Sequence, residues 1–340
     1  MKRIGSEKNV RRLITFCLLL ILVLVFGSMS SSFYTVRNVQ QLLREAAYVG
    51  LAALGVSFIM IGGGIDLSSG GIICFAGIAC ARMASWGMPG FVCVIGAVAI
   101  GALCGLINGF CITKLHLNDF ITTLASGYIF SGLGVLIMFR DAKGRVASPT
   151  LTNASFLSLG KSIDGWYKIS IAWIILAVIV FFIHNRTRFG QHIIAIGSNA
   201  KSAEMSGVNV SRVKVLTYVI GGCFCGLAAS FTVAYQATAY LSLGGALGFQ
   251  AVACCVMGGI VLGGGKGDAL SAVMGTLFIT TILNGLFKFG LDASWQYICQ
   301  GVIILVIILF DAVVGAFNQR RIDRIAQSDG VEGGAKNAGK

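Results

Sequence analysis

The 340-residue chain is 56% hydrophobic and only 11% charged, with a mean hydropathy of +0.86, a balance that excludes a water-soluble globular domain. The formal net charge of +13 is scattered between apolar segments and forms no basic patch interleaved with aromatic residues, so it does not point to nucleic acid. No soluble domain is left over once the apolar segments are set aside.

Apolar stretches of about 18 or more residues recur along the whole length, which predicts an all-α, polytopic membrane protein. Residues 1–12 carry Lys2, Arg3, Lys8, Arg11 and Arg12 ahead of the first apolar run, 13–27, and form a cytoplasmic N-terminus. A cleaved signal peptide begins in the same way, but the many spans that follow favour an uncleaved first helix. A polar stretch, 35–45, is expected to be helical and to lie on the outer surface. Further spans are expected near 46–63, 67–85, 91–112, 120–139, 169–183, 213–235, 249–262, 269–289 and 297–317. With the first, they make about ten transmembrane helices within a permease domain of residues 13–317 and leave both termini in the cytoplasm. In that topology 17 of the 26 Lys and Arg residues lie inside and nine outside, in keeping with the positive-inside bias. The loop 140–168 is the longest outer segment, suited equally to a soluble partner or to a solvated connection, and the polar tail 318–340 is expected to be disordered.

One structured polar segment stands between the apolar ones: GSNAKSAEMSGVNVSRVK, residues 197–214, within a cytoplasmic loop of residues 185–214. Asn199 suits a helix N-cap, Ala200–Met205 are mostly good helix formers, and Gly207 suits the left-handed residue that ends a helix. Asn209 then caps a second helix beginning Val210, Ser211, Arg212. The segment therefore reads as an elbow of two short helices that a partner could grip, or as an ordinary solvated loop.

Within the apolar segments, GGGIDLSSGG (62–71) puts an acid between two helices with glycines on both sides. Asp66 is costly there and has to pair, be protonated, or cap a broken helix through the amides of Ser68 and Ser69. It can also contact substrate, with Ser68 beside it. A second glycine-rich turn, GGIVLGGGKG (258–267), repeats the GGIDL pattern as GGIVL and hints at an internal duplication in which Val261 replaces Asp66. GGGKGD is no phosphate-binding P-loop, because Ile260 stands where the first glycine is needed and Gly267 where Ser or Thr is needed. No paired catalytic carboxylates or hydrolase motif occurs, so the chain is expected not to be an enzyme. Asn108, Gln250 and Asn284 are polar residues inside apolar spans, and serve either a substrate pathway or helix packing. The 11 cysteines lie in or beside apolar segments and read as small buried hydrophobes; Cys223, Cys225, Cys254 and Cys255 lack the partners of a tetrahedral metal site. Gly101, Gly105 and Gly109 stack at four-residue spacing on one helix face.

Residues 195–222, the GGGIDLSSGG block, the 258–267 turn and the run NGLFKFGLDASWQYICQG (284–301) are similar, in the same order, to segments of the ribose-type sugar permeases of bacterial ABC importers. The resemblance extends over about residues 46–312. Cys254 and Cys255 depart from the Ala and Val usual there, and Ser69 stands for a usual Val. The resemblance implies the ABC importer permease fold in a bacterial inner membrane. It implies that the elbow docks into a separate ABC ATPase subunit through Asn199, Ala200, Ala203, Glu204, Gly207, Val208 and Arg212. Further partners implied are a periplasmic or lipid-anchored sugar-binding protein, a second permease copy or close paralogue, and membrane lipid. The chain itself would bind no cofactor; ATP and Mg would sit on the ATPase. The cargo implied is a monosaccharide, with autoinducer-2-like furanosyl compounds, nucleosides or branched-chain amino acids as alternatives in the same architecture. A facilitator or secondary transporter working without ATP is the alternative of a different class, and it makes no use of an elbow.

Overall fold

The computed structural model describes residues 2–290, with side chains from Arg12 onward, and scattered positions between 294 and 309. The described chain is almost entirely helical. Its helices are α1 (Lys2–Met29), α2 (Val36–Ile61), α3 (Ser69–Ser85), α4 (Gly90–Lys114), α5 (Asp119–Leu136) and α6 (Ala154–Leu157). They continue with α7 (Lys168–Arg186), α8 (Arg188–Ser198), α9 (Ala200–Met205), α10 (Val210–Gln236), α11 (Leu247–Met257) and α12 (Ala269–Lys288). Of the described helices, α1, α2, α4, α5, α7, α10 and α12 are long and apolar enough to cross a membrane. The expected span 297–317 lies largely outside the described residues, and the tail 318–340 wholly so.

The centre of the bundle is α2. From Val49 to Ile61 every residue is buried, as a helix apolar on all sides must be, and α10, α12, α11 and α7 pack around it. The polar stretch 35–45 is helical, as expected, and is continuous with the span that follows it. Thr35 caps the N-terminus of α2 by accepting from the Asn38 amide at 3.4 Å, and the good helix formers that follow carry the helix without a break into the apolar part. The most extensive helix pair is α4 against α10, and the glycine stripe on α4 is its seam. A Cβ on Gly105 would overlap the carbonyl oxygen of Tyr218, and one on Gly222 would overlap that of Gly101, so both helices need glycine to approach this closely.

Two expected spans are shorter than the membrane. At 1.5 Å per residue, the 17 residues of α3 reach about 26 Å and the 11 residues of α11 only about 16 Å, against a hydrocarbon core of roughly 30 Å. The run expected to continue to residue 262 stops at Met257, because Gly258 and the positive-φ Gly259 (φ 96°) end the helix. The loop 140–168 is ordered. Its β1 (Ser162–Ile163) and β2 (Trp166–Tyr167) pair antiparallel around a two-residue turn in which Asp164 and Gly165 both take positive φ. Asn153 donates to the carbonyls of Ala84 and Met88, Phe156 is fully buried, and the Leu151 amide donates to Ala237 at 2.8 Å. The loop is thereby pinned across the ends of α3, α4 and α10. Of the cysteines, Cys74, Cys80, Cys93, Cys104, Cys225, Cys254 and Cys255 are buried, whereas Cys17 lies on the exposed apolar face of α1.

Candidate functional site

The elbow forms as its cap residues dictate. Thr187 caps α8 through the Gly190 amide, Asn199 caps α9 through the Ser202 amide at 2.9 Å, and Asn209 caps α10 through the Arg212 amide at 3.0 Å. Between the last two, Gly207 takes φ 85° and the Val208 amide closes back on the Ala203 carbonyl at 3.1 Å. Ala203 is buried at the base of the turn, Val208 is half-buried, and Asn199, Ala200, Glu204, Gly207 and Arg212 are exposed. Met205, which the sequence suggests only as a helix former, is 83% exposed at the tip. A single exposed apolar side chain is common on protein surfaces and by itself identifies no partner. The signal available was one large apolar residue in an otherwise polar elbow.

The elbow is wedged into the bundle by glycine. On α8, Ile193 and Ile196 are buried, and the helix ends against both glycine-rich turns. A Cβ on Gly197 would overlap the carbonyl oxygen of Ile61, the last residue of α2, and the amide of Gly265. That amide donates to the same Ile61 carbonyl at 2.8 Å. A Cβ on Gly264 would stand 2.6 Å from the Gly63 nitrogen and 2.9 Å from the Gly197 Cα. Three segments far apart in sequence thus meet backbone to backbone.

From this junction the irregular stretch 62–68 runs to the start of α3, and the polar backbone of 65–68 is satisfied largely by side chains. The Ile65 amide donates to Asp119 Oδ2 at 2.8 Å, the Leu67 amide to Thr123 Oγ1 at 3.1 Å, and Tyr218 donates its hydroxyl to the Ile65 carbonyl at 3.1 Å. Asp66 is 2% exposed. Its Oδ1 accepts from the Ser68 amide at 2.8 Å and the Ser68 hydroxyl at 2.5 Å, and its Oδ2 accepts from the Ser69 hydroxyl at 2.9 Å. Ser69 contributes its side chain and not the amide expected of it. Asn108 of α4 completes the cluster by donating to Ser68 Oγ at 2.8 Å. Irregular backbone survives at membrane depth only when it is satisfied in this way.

The second turn has a carboxylate of its own. Val261 stands at the position matching Asp66, as the sequence comparison has it, but Asp268 caps α12 by accepting from the Ser271 amide at 3.2 Å and the Ser271 hydroxyl at 3.4 Å. Asp268 is 1% exposed, pairs with Arg12 of α1, and accepts from Asn185 at the end of α7 at 3.3 Å.

Of the polar candidates, Asp66, Ser68 and Asn108 come together. Gln250 is buried in the first turns of α11, two residues beyond Gly248, whose Cβ would stand 3.1 Å from the Leu67 carbonyl. Asn284 lies elsewhere, in the last turns of α12, where its Oδ1 accepts from Asn38 at 3.0 Å.

A bundle of apolar helices broken at two glycine-rich turns, the first mostly buried and the second half-buried, with an exposed polar elbow packed against both, is the architecture of a polytopic membrane protein. Residues 38–308 match the family described as branched-chain amino acid transport system / permease component, and the chain belongs to that family. Among curated relatives, the ribose import permease protein RbsC of Bacillus subtilis is 34% identical over 311 residues, covering 91% of this chain and 95% of the relative. The galactose/methyl galactoside import permease protein MglC of Haemophilus influenzae is 32% identical, covering 88% and 93%. The D-allose transport system permease protein AlsC of Escherichia coli is also 32% identical, covering 88% and 91%.

Proposed function

We propose that this chain is the membrane-spanning permease subunit of an ATP-driven, binding-protein-dependent importer of a monosaccharide, a ribose-like pentose or a hexose, in a bacterial inner membrane. The observation that carries the reading is the elbow wedged by Gly197 between the two glycine turns. A facilitator has no use for such a lever, whereas an ATPase that closes on ATP binding has. The ribose, galactose and allose permeases among the relatives support a sugar cargo.

In this reading the ATPase, which holds the ATP and Mg, grips the exposed face of Asn199, Ala200, Glu204, Gly207 and Arg212, with Ala203 and Val208 bracing the turn from beneath. Its closure moves α8 and α9 as a unit. Through Gly197 the motion reaches the end of α2 and both turns together, and through Asn209 it reaches α10. A sugar-binding protein delivers cargo to the side carrying 140–168, both termini face the ATPase, and a second permease copy or a paralogue completes the pathway within the lipid. Asp66 with Ser68 and Asn108 holds the broken segment beside that pathway, and Gln250 and Asn284 belong to the helices around it.

The test is ATPase turnover in proteoliposomes holding this chain with its ATPase and binding protein, with and without sugar, comparing wild type and Glu204→Arg. Sugar-stimulated turnover that needs the binding protein and is lost in the variant is the expected result. Transport by the chain alone down a gradient, with no ATPase co-purifying, would put the facilitator in its place.

A further inference from the structure

On the elbow side of the molecule a cavity of about 300 Å³ opens between the start of α10, the α4–α5 connection and the first glycine turn. Lys214 and Tyr218 reach it from α10, His116 and Asp119 from the connection, and Ile59 and Ile112 supply an apolar patch. Lys214 and Asp119 share this wall, yet no ion pair joins them among the described residues. Asp119 accepts the Ile65 amide on one oxygen and the Phe120 amide at 3.0 Å on the other, which leaves lone pairs on both. Tyr218 donates to the Ile65 carbonyl and keeps its oxygen lone pairs.

The wall therefore offers a strong donor and several acceptors around an apolar patch, with the ammonium and the carboxylate offsetting each other. An anion would confront Asp119 and a cation would confront Lys214. A neutral polyhydroxyl solute satisfies both charges with its hydroxyls and lays its C–H face on Ile59 and Ile112. The volume lies at the small end of ligand sites, as a single sugar ring requires.

We infer that this cavity is a release-side monosaccharide site, occupied by cargo after it has crossed the bundle. The inference rests on the sugar-permease reading given above. Lys214 and Tyr218 ride on the helix leaving the elbow and Asp119 heads α5, so a bound sugar ties the two, and sugar accumulating on the elbow side slows the cycle.

Equilibrium dialysis of the full chain in detergent against radiolabelled ribose, galactose and allose, without ATPase or binding protein, tests it. Saturable binding of at least one sugar is expected, weakened about tenfold in Lys214→Met and in Asp119→Asn, the size of one lost hydrogen bond to a charged group. Ile112→Phe, which fills the cavity and touches neither charge, lowers binding independently. No saturable binding, or binding unchanged in all three variants, overturns the inference. Import by wild-type proteoliposomes is scored separately: import without elbow-side binding sinks this site alone, whereas the absence of binding-protein-dependent import sinks the permease reading itself.

Discussion

Gly197 and Ile61 meet so closely that the α-carbon of the first leaves no room for a side chain beside the carbonyl oxygen of the second. The neighbour is backbone and is also bonded to the Gly265 amide, so it cannot swing aside. Gly197→Ala is expected to force α8 away from both glycine turns at a cost of about 1–3 kcal/mol, the usual penalty of overpacking. Thermal unfolding in detergent checks this as a lowered midpoint. Gly207→Ala differs, because nothing lies near its Cβ and only the positive φ of 85° is strained.

Met205 supports a prediction in which function and stability separate. It is 83% exposed and touches nothing that holds the fold, so Met205→Glu is expected to leave the unfolding midpoint of the isolated chain unchanged. If the ATPase docks on the elbow as proposed, the same change puts a charge into that contact, and ATPase affinity should fall by about tenfold or more, since roughly 1.4 kcal/mol is lost per decade. Co-purification and titration with the ATPase measure it.

The buried carboxylates behave as caps whose removal strands their donors. Asp66→Leu leaves the Ser68 amide and two serine hydroxyls without their acceptor, a loss of about 1–3 kcal/mol for each donor left unsatisfied. Asp66→Asn keeps one acceptor oxygen and is expected to fall between wild type and Leu. Arg12→Ala acts from the other side by removing a cation that pairs with Asp268, which is 1% exposed. Arg12→Ala is therefore expected to lower the unfolding midpoint, and the same denaturation series checks it.

In the loop 140–168, Asp141 accepts from the Arg145 and Lys143 amides and from the Arg145 guanidinium. The Arg145 amide leads these in holding the carboxyl below its ordinary value of 3.8. Because the folded value is depressed, the stabilisation of the turn 141–145 is present above pH 3.8 and is lost as the pH falls through the lower folded value. NMR titration of the Asp141 carboxyl should show a midpoint under 3.8, and Arg145→Ala should move it upward.

The elbow is legible in the sequence because Asn199, Gly207 and Asn209 are residues whose local chemistry alone starts or stops a helix. The junction beneath it is not, because Gly63, Gly197 and Gly264 are far apart in the chain and a glycine gives no sign of what it touches. Likewise Asp268 is invisible to a five-letter comparison of GGIDL with GGIVL. A capping carboxylate needs only to reach the next helix start, and the second turn supplies it seven residues after Val261. The end of α11 is misjudged for a related reason. Hydropathy counts apolar residues on either side of a glycine turn as one run, whereas the backbone ends its helix there. Asp66 is legible as a cap, and Asn284 only as one of two things until Asn38 is seen beside it.

The shortness of α11 reaches beyond the helix itself. With about 16 Å of helix, the turns at 238–246 lie at membrane depth, and acyl chains cannot hydrogen-bond the amides and carbonyls of such a segment. Part of it rests on α3, where Cys74 Sγ donates to the Leu241 carbonyl at 3.2 Å and Gly244 abuts Gly70. Where α3 does not cover it, only another polypeptide or water can. In the proposed assembly this flank is therefore closed by polypeptide or water and not by lipid.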